Sequence, residues 1–183
     1  MTPTILRTGF VYLLSLLLLL GLAAGGVAAP EKAKPKAPAG VPNYAEVVDH
    51  VYRGAAPTDE GLKNLQAMGV TTIIDLRIEK AKAQAEKKIA EKMGFTWINL
   101  PMGREAPTKA QVELFLKTLA NAEQEPVFVH CQHGADRTGA MIGIYRVQVQ
   151  GWSFADTWQE MRKYGFKPYL DELKGAVKQR ATK

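Results

Sequence analysis

The sequence predicts an α/β domain, a single folded unit with a mostly parallel central sheet flanked by helices. Three observations carry this. From residue 43 onward, short β-branched or apolar runs alternate with longer segments of helical periodicity. Helical segments stop at glycines, Gly69 and Gly94 among them. The run at 126–130 is apolar without alternation, as the centre of a parallel sheet requires. A chain of 183 residues suffices for one domain with a real core but not for two. No internal repeat is visible.

The chain opens with a segment that does not belong to the globule. Arg7 is the only charge before the apolar run 10–22, and small residues follow up to Val27-Ala28-Ala29. This pattern reads as a secretory signal peptide over 1–29. The alternative is an uncleaved membrane anchor, because 10–29 has roughly the 20 residues a span needs. Either reading places the rest in an exported compartment, secreted or periplasmic, or held at a membrane by this segment alone. Residues 30–42 are rich in Pro, Lys and Ala and predict an extended, mobile linker. The folded domain is then 43–183.

Within the domain, 50–54 reads as a short strand entering a turn, with His50 a structural residue in it. Residues 58–68 read as a helix with Leu62 and Leu65 on one face. The run 71–76 is β-branched and short, hence a buried strand. In the helix predicted over 79–93, Ala81, Ala85, Ile89 and Met93 fall at i, i+4 spacing and Lys and Glu fill the other faces. A strand follows at 95–100. Thr108 begins a helix with Gln111 at the capping-box position and Val112, Phe115, Leu116 and Leu119 turned inward. After the strand at 126–130, 138–149 is an apolar helix. Ser153 with Asp156 three residues on caps another, ending near Gly165.

Composition narrows function by exclusion. A net charge of +6 without a basic stripe interleaved with aromatics gives no nucleic-acid surface. With 1 Cys the chain has no internal disulfide, and an unpaired thiol in an oxidising compartment is best explained if it acts.

That cysteine stands in the most informative stretch, His130-Cys131-Gln132-His133-Gly134-Ala135-Asp136-Arg137-Thr138-Gly139. It falls where a strand ends and a helix begins, the place where parallel sheets bind ligands. A loop there aims backbone N–H groups and the helix dipole at an anion. Gly134 and Gly139 allow close approach of backbone to ligand and tight helix packing. Cys131 opens the loop, where dipole and Arg137 favour thiolate. Arg137 closes it with a fork that holds two phosphate oxygens. Nucleophile and clamp at opposite ends of one cradle suit phosphoryl transfer through a thiophosphate. Thr138 is placed to hydrogen-bond the sulfur, and His130 to fix the loop.

The stretch matches H-C-x5-R-[ST]-G without a gap and resembles the cysteine-dependent protein tyrosine phosphatases. Val51-Tyr-Arg-Gly-Ala-Ala-Pro57, Ile73-Ile-Asp-Leu-Arg77 and the apolar helix from Ala140 resemble the small dual-specificity branch, so the likeness covers most of 47–166. It implies a phosphatase fold, phosphomonoester hydrolysis with a phosphotyrosine protein or another phosphomonoester as substrate, and neither metal nor organic cofactor. The branch normally supplies an Asp acid from a loop upstream of the cysteine. Here no Asp occurs between Asp75 and Asp136, and the loop 101–107 offers only Glu105. Asp136 is the preferred acid, Glu105 the alternative, and an Asp136 turned outward the plain structural reading. Myotubularin-type lipid phosphatases and some bacterial tyrosine phosphatases resemble this chain in having Asp there.

Gln132, His133 and Ala135 complete the loop and are nearly neutral, which tilts the substrate toward a simple monoester. His133 stands at its rim, either as a substrate contact or as a solvent-exposed bystander. Arg53 and Arg104 are either contacts for a second acidic group on a substrate or, the preferred reading, plain surface residues, and Trp97, Trp152 and Trp158 are expected in the core. The competing class is a phosphate-binding module without turnover; intact Cys131 and Arg137 speak against it.

Overall fold

A computed structural model describes residues 37–181. The segment 1–29 read as a signal peptide and the first part of the expected linker lie outside the described residues. Chain order is β1 (Ala45–Val48), β2 (Val51–Ala55), α1 (Asp59–Ala67), β3 (Thr72–Arg77), α2 (Lys80–Lys92), β4 (Thr96–Met102), α3 (Lys109–Ala120), β5 (Val127–Cys131), α4 (Asp136–Gln148), α5 (Phe154–Lys163) and α6 (Asp171–Ala181). The strands form one sheet in the order β1-β2-β5-β3-β4. Every pairing is parallel except the edge pair β1–β2. β5 is central and wholly buried, as its unbroken apolar run requires.

Alternation along the strands divides the core into two layers. Ile73 and Phe128 meet Leu62 and Leu65 of α1 and Ala90 of α2 on one face. Ile74 and Val129 face the other side with Phe115 of α3, Ile142 of α4, Met161 of α5 and Val177 of α6. α4 is the central helix of that layer and is buried on most sides, Arg146 included. Fully burying side chains such as Met141, Ile142 and Ile144 stabilises by about 1.5–3 kcal/mol each. Its Gly143 makes room for neighbours: an added Cβ would lie 3.1 Å from Val177 Cγ2 and 3.2 Å from Met161 Sδ.

Thr58 caps α1 by accepting from Gly61 N–H, Thr108 and Gln111 form a capping box on α3, and Ser153 caps α5. Several expectations need correction. Residues 51–54 lie in β2, as expected, but His50 does not. His50 is exposed at φ 66° in the β1–β2 turn, and β1 pairs back antiparallel.

α2 buries Ala83, Glu86 and Ala90, while Ala81, Ala85 and Ile89 face solvent. The register is set by Glu86, whose carboxylate has buried partners that periodicity cannot display. The tryptophans are not core: Trp97 and Trp158 are half-buried, and Trp152 is 37% exposed against the Arg146 guanidinium.

Residues 37–42, assigned to the linker, are packed. Val41 is 4% exposed, and the Gly40 carbonyl accepts from Thr58 N–H at 2.9 Å. α6 was not anticipated; Leu173, Ala176 and Val177 are its buried face. No helix among the described residues is long and apolar enough to cross a membrane.

Candidate active site

β5 ends at Cys131 and α4 starts at Asp136, so residues 132–135 form a loop at the carboxyl edge of the sheet. Ala135 occupies the N-cap of α4 with no side-chain cap, which leaves first-turn N–H groups for a ligand. Gly134 sits at φ +66°, and an added Cβ would lie 2.4 Å from the Gly54 carbonyl atoms. The loop therefore lies directly on the end of β2, and only glycine fits.

Cys131 is buried at 2% exposure. Burial alone pushes its thiol pKa up. The Thr138 hydroxyl and N–H, the His133 N–H and the Arg137 charge outweigh burial and bring it below the ordinary thiol value. Buried Thr138 Oγ1 has no hydrogen-bond partner of good geometry among the described residues; its effect falls on the sulfur, whose pKa it lowers.

Arg137 Nη1 donates to Glu79 Oε2 at 3.2 Å and to the Met102 carbonyl at 3.4 Å. Burial raises the Glu79 pKa, but its own backbone N–H, Arg137 and Lys82 together hold it below the usual carboxylate value. Glu79 was not among the expected site residues. It stands at the start of α2, two residues past β3, and only the sheet's order brings it to the loop.

His130 is fully buried, with Nε2 donating to Glu86 Oε1 at 2.9 Å and Nδ1 3.4 Å from the Cys131 carbonyl. Burial disfavours its charge, yet the Glu86 hydrogen bond and the Glu86 and Asp75 charges raise its pKa overall. Glu86 also accepts from Arg77 Nη2 at 2.8 Å, and Asp75 Oδ2 from the same nitrogen at 2.9 Å. Asp75, Glu86 and His130 bring their ligand atoms within 4.8 Å of one another. The Arg77 guanidinium is the cation that the two carboxylates hold.

Above the loop opens a cavity of about 300 Å³. Ile78, Met102, Leu170 and Leu173 form its apolar walls, and Glu79, Arg104, His133, Asp136, Arg137 and Lys167 its polar ones. The cavity gathers His133 of the loop with Asp136 and Arg137 of the start of α4, and Arg104 is exposed in its wall. Asp136 Oδ1 accepts from Lys167 N–H at 2.8 Å, and Oδ2 lies 4.0 Å from Lys167 Nζ. Glu105 is exposed outside the cavity lining, with its carboxylate against Gly103. Gln132 accepts from Lys82 Nζ at 3.2 Å.

Gly139 lies within α4, buried, with Phe166 at 3.2 Å from where a Cβ would stand. Arg53, expected on the surface, is 1% exposed. Its Nη2 donates to the Gly134 carbonyl at 2.7 Å, its guanidinium lies 4.1 Å over the Tyr164 ring, and burial pulls its pKa down to about 10.

Residues 38–176 match the family described as DSP-PTPase phosphatase fused to NAD+ kinase. The chain is 32% identical over 159 residues to the dual specificity protein phosphatase TpbA of Pseudomonas aeruginosa, covering 79% of this chain and 67% of that protein. The catalytic core of the PP-IP phosphatase SIW14 from Saccharomyces cerevisiae aligns with TM-score 0.66 at 23% identity, over 76% of this chain and 87% of that one. TpbA in complex with pTyr aligns with TM-score 0.61 at 20% identity, over 76% and 90%. At those identities the structural likeness speaks for the fold. The family match spans the sheet, the loop and its helices, and the chain belongs to the dual-specificity branch of the cysteine-dependent protein tyrosine phosphatases.

Proposed function

We propose that this protein hydrolyses phosphomonoesters through a cysteinyl-phosphate intermediate on Cys131. The observation that carries the reading is a thiol held below its ordinary pKa at the start of a loop whose other end presents Arg137 to a cavity. Loop N–H groups and Arg137 neutralise the phosphate, so no metal is required for that task. The Cys131 sulfur attacks phosphorus; the S–P bond forms as the ester P–O bond breaks, and the leaving oxygen takes a proton from Asp136. Water then attacks phosphorus and returns a proton to Asp136, and the thiolate departs, stabilised by Thr138 and the loop. Inorganic phosphate leaves.

Asp136 is assigned as acid because two carboxyl groups line the cavity and Glu79 is held anionic beside Arg137. Its Oδ1 is engaged by a backbone N–H, and Oδ2 has no hydrogen-bond partner among the described residues. Glu105 remains the alternative, reachable only by movement of its loop. His130 holds the loop through Glu86, and Gln132, His133, Gly134 and Ala135 form the cradle.

The apolar walls favour an aryl phosphate such as phosphotyrosine. A second reading, an inositol phosphate or phosphoinositide, is favoured by Arg104 and Lys167 at the mouth, which suit a second phosphate. Comparing kcat/KM on a phosphotyrosine peptide and an inositol polyphosphate, for wild type and an Arg104→Ala/Lys167→Ala double variant, separates them. A selective loss on the polyphosphate favours the second reading. Export through cleavage of 1–29 is part of the proposal, and N-terminal sequencing of the protein recovered from producing cells tests it.

The decisive experiment is hydrolysis of an aryl phosphate by wild type and Cys131→Ser, in chelator and reductant. Activity is expected to survive chelation and to vanish in the variant. A wild type that binds oxyanions without turnover would instead identify a phosphate-binding module.

A further inference from the structure

The outer side of the 131–137 loop carries contacts that neither nucleophile, clamp nor acid explains. Asn43, exposed and at φ 53°, donates from Nδ2 to the His133 carbonyl at 3.1 Å and to the Tyr164 carbonyl at 3.0 Å. Arg53, from the middle of β2, donates to the next carbonyl, that of Gly134, at 2.7 Å. Two consecutive loop carbonyls are thus held by side chains from the segment 43–53, just before β1 and in β2. Both holders also touch Tyr164, the C-cap of α5, one through its carbonyl and one across its ring.

Arg53 is an expensive residue to place here. It is buried at 1% exposure, yet its Nε and Nη1 have no hydrogen-bond partner among the described residues. The Tyr164 ring and the Glu160 charge offset part of the cost of burying this cation, yet an apolar side chain of similar volume would fill the space at lower cost. The single hydrogen bond it makes goes to the loop.

The geometry of the peptide unit gives that bond a consequence. No peptide bond among the described residues is cis, and in a trans peptide a carbonyl and the following N–H point in opposite directions. Holding the His133 and Gly134 carbonyls outward aims the N–H groups of Gly134 and Ala135 the other way. We propose that Arg53 and Asn43 are positioning residues that clamp these two carbonyls outward and so keep the loop in its anion-binding state, Arg53 adding positive charge beneath the bound oxyanion. This rests on reading 131–137 as the phosphate loop.

The test uses Arg53→Met, Arg53→Lys and Asn43→Ala in the full chain, with three readouts: kcat and KM on an aryl phosphate, tungstate binding by calorimetry, and the pH dependence of Cys131 alkylation by iodoacetamide. Thermal unfolding reports whether each variant is folded. In folded Arg53→Met, tungstate affinity and kcat/KM are expected to fall about tenfold or more, as for a lost charge-assisted hydrogen bond. The alkylation midpoint moves to higher pH. Arg53→Lys restores the midpoint, because the charge is kept, more than it restores tungstate affinity, because the fork is lost.

Should Arg53→Met not fold, Asn43→Ala decides, since that side chain is exposed; a tungstate affinity several-fold weaker supports the clamp. Wild-type tungstate affinity and alkylation profile in a folded Arg53→Met, or wild-type tungstate affinity in Asn43→Ala, overturns it. A wild type that binds tungstate without hydrolysing anything removes the hydrolase reading alone, and the binding and alkylation arms still decide the clamp.

Discussion

Gly134 lies against the end of β2, Cys131 opens the loop, and Asp136 lines the cavity above it. An added methyl at Gly134 meets β2 backbone at 2.4 Å, in a conformation that L side chains rarely adopt. Gly134→Ala should cost at least about 2 kcal/mol in chemical denaturation and abolish oxyanion binding. Wild-type stability in that variant would mean that the loop does not lie on β2 as described. For Cys131, alkylation by iodoacetamide should stay fast at pH values where a free thiol is unreactive, and mild peroxide should inactivate reversibly. Full activity after prolonged peroxide treatment would contradict an accessible thiolate. Asp136→Asn should lower kcat by about a hundredfold or more on alkyl phosphates, and much less on aryl phosphates whose leaving oxygen needs no proton. An equal loss on both classes would remove Asp136 as acid and return Glu105 to consideration.

At the scale of elements, α2 is tied to the end of β5 by one carboxylate. Glu86 joins Arg77 of β3, His130 of β5 and Trp97 of β4, all from the face that α2 turns inward. Glu86→Gln leaves His130 without its hydrogen-bonded carboxylate and Arg77 with Asp75 as its one remaining buried carboxylate, and should destabilise by about 3 kcal/mol. The same pair makes stability depend on pH. Burial raises the Glu86 pKa, but His130 and Arg77 bring it below the ordinary 4.5, so its contribution is full above that value and is lost as pH falls through the lowered one. The His130 pKa stands above the ordinary 6.5, so its contribution is full below 6.5 and is lost as pH rises through the raised value. Wild type should therefore be most stable relative to Glu86→Gln between pH 4.5 and 6.5, with the gap narrowing on either side. Denaturant midpoints measured from acid to mildly alkaline pH check this; a gap independent of pH would show that the pair is not ionised.

For the whole molecule, the boundary of the folded body is the quantity most open to test. Val41 is core, Gly40 accepts from Thr58 at the start of α1, and Ala39 accepts from Asn64. A chain starting at residue 43 lacks all three contacts and should unfold about 5–10 °C below one starting at residue 37, since burying a valine is worth about 1.5–3 kcal/mol. Equal midpoints would show that 37–42 add nothing to the fold. At the other end of the chain, α6 supplies Leu173 to both the core and the cavity wall, so its packing serves stability and substrate shape together.

What the sequence determined by itself was whatever is local. Strand runs, capping boxes and the ten residues from His130 to Gly139 announce themselves within a few positions, because propensity, capping and the strand–loop–helix turn act between near neighbours. The strand end that carries Cys131 and the helix start that carries Arg137 and Thr138 were legible for that reason. Tertiary structure alone decided which distant residues serve the loop. Glu79 and Glu86 come from α2, Arg53 and Asn43 from around the first hairpin, and Lys167 from beyond α5. The inward face of α2 was misread because periodicity counts a charged side chain as exposed, whereas Glu86 is buried with Arg77 and His130. Arg53 was misread likewise, since nothing near it in sequence discloses the Gly134 carbonyl lying 81 residues away. Burial of a charge is favourable only once its partners are assembled, and their assembly is a property of the fold.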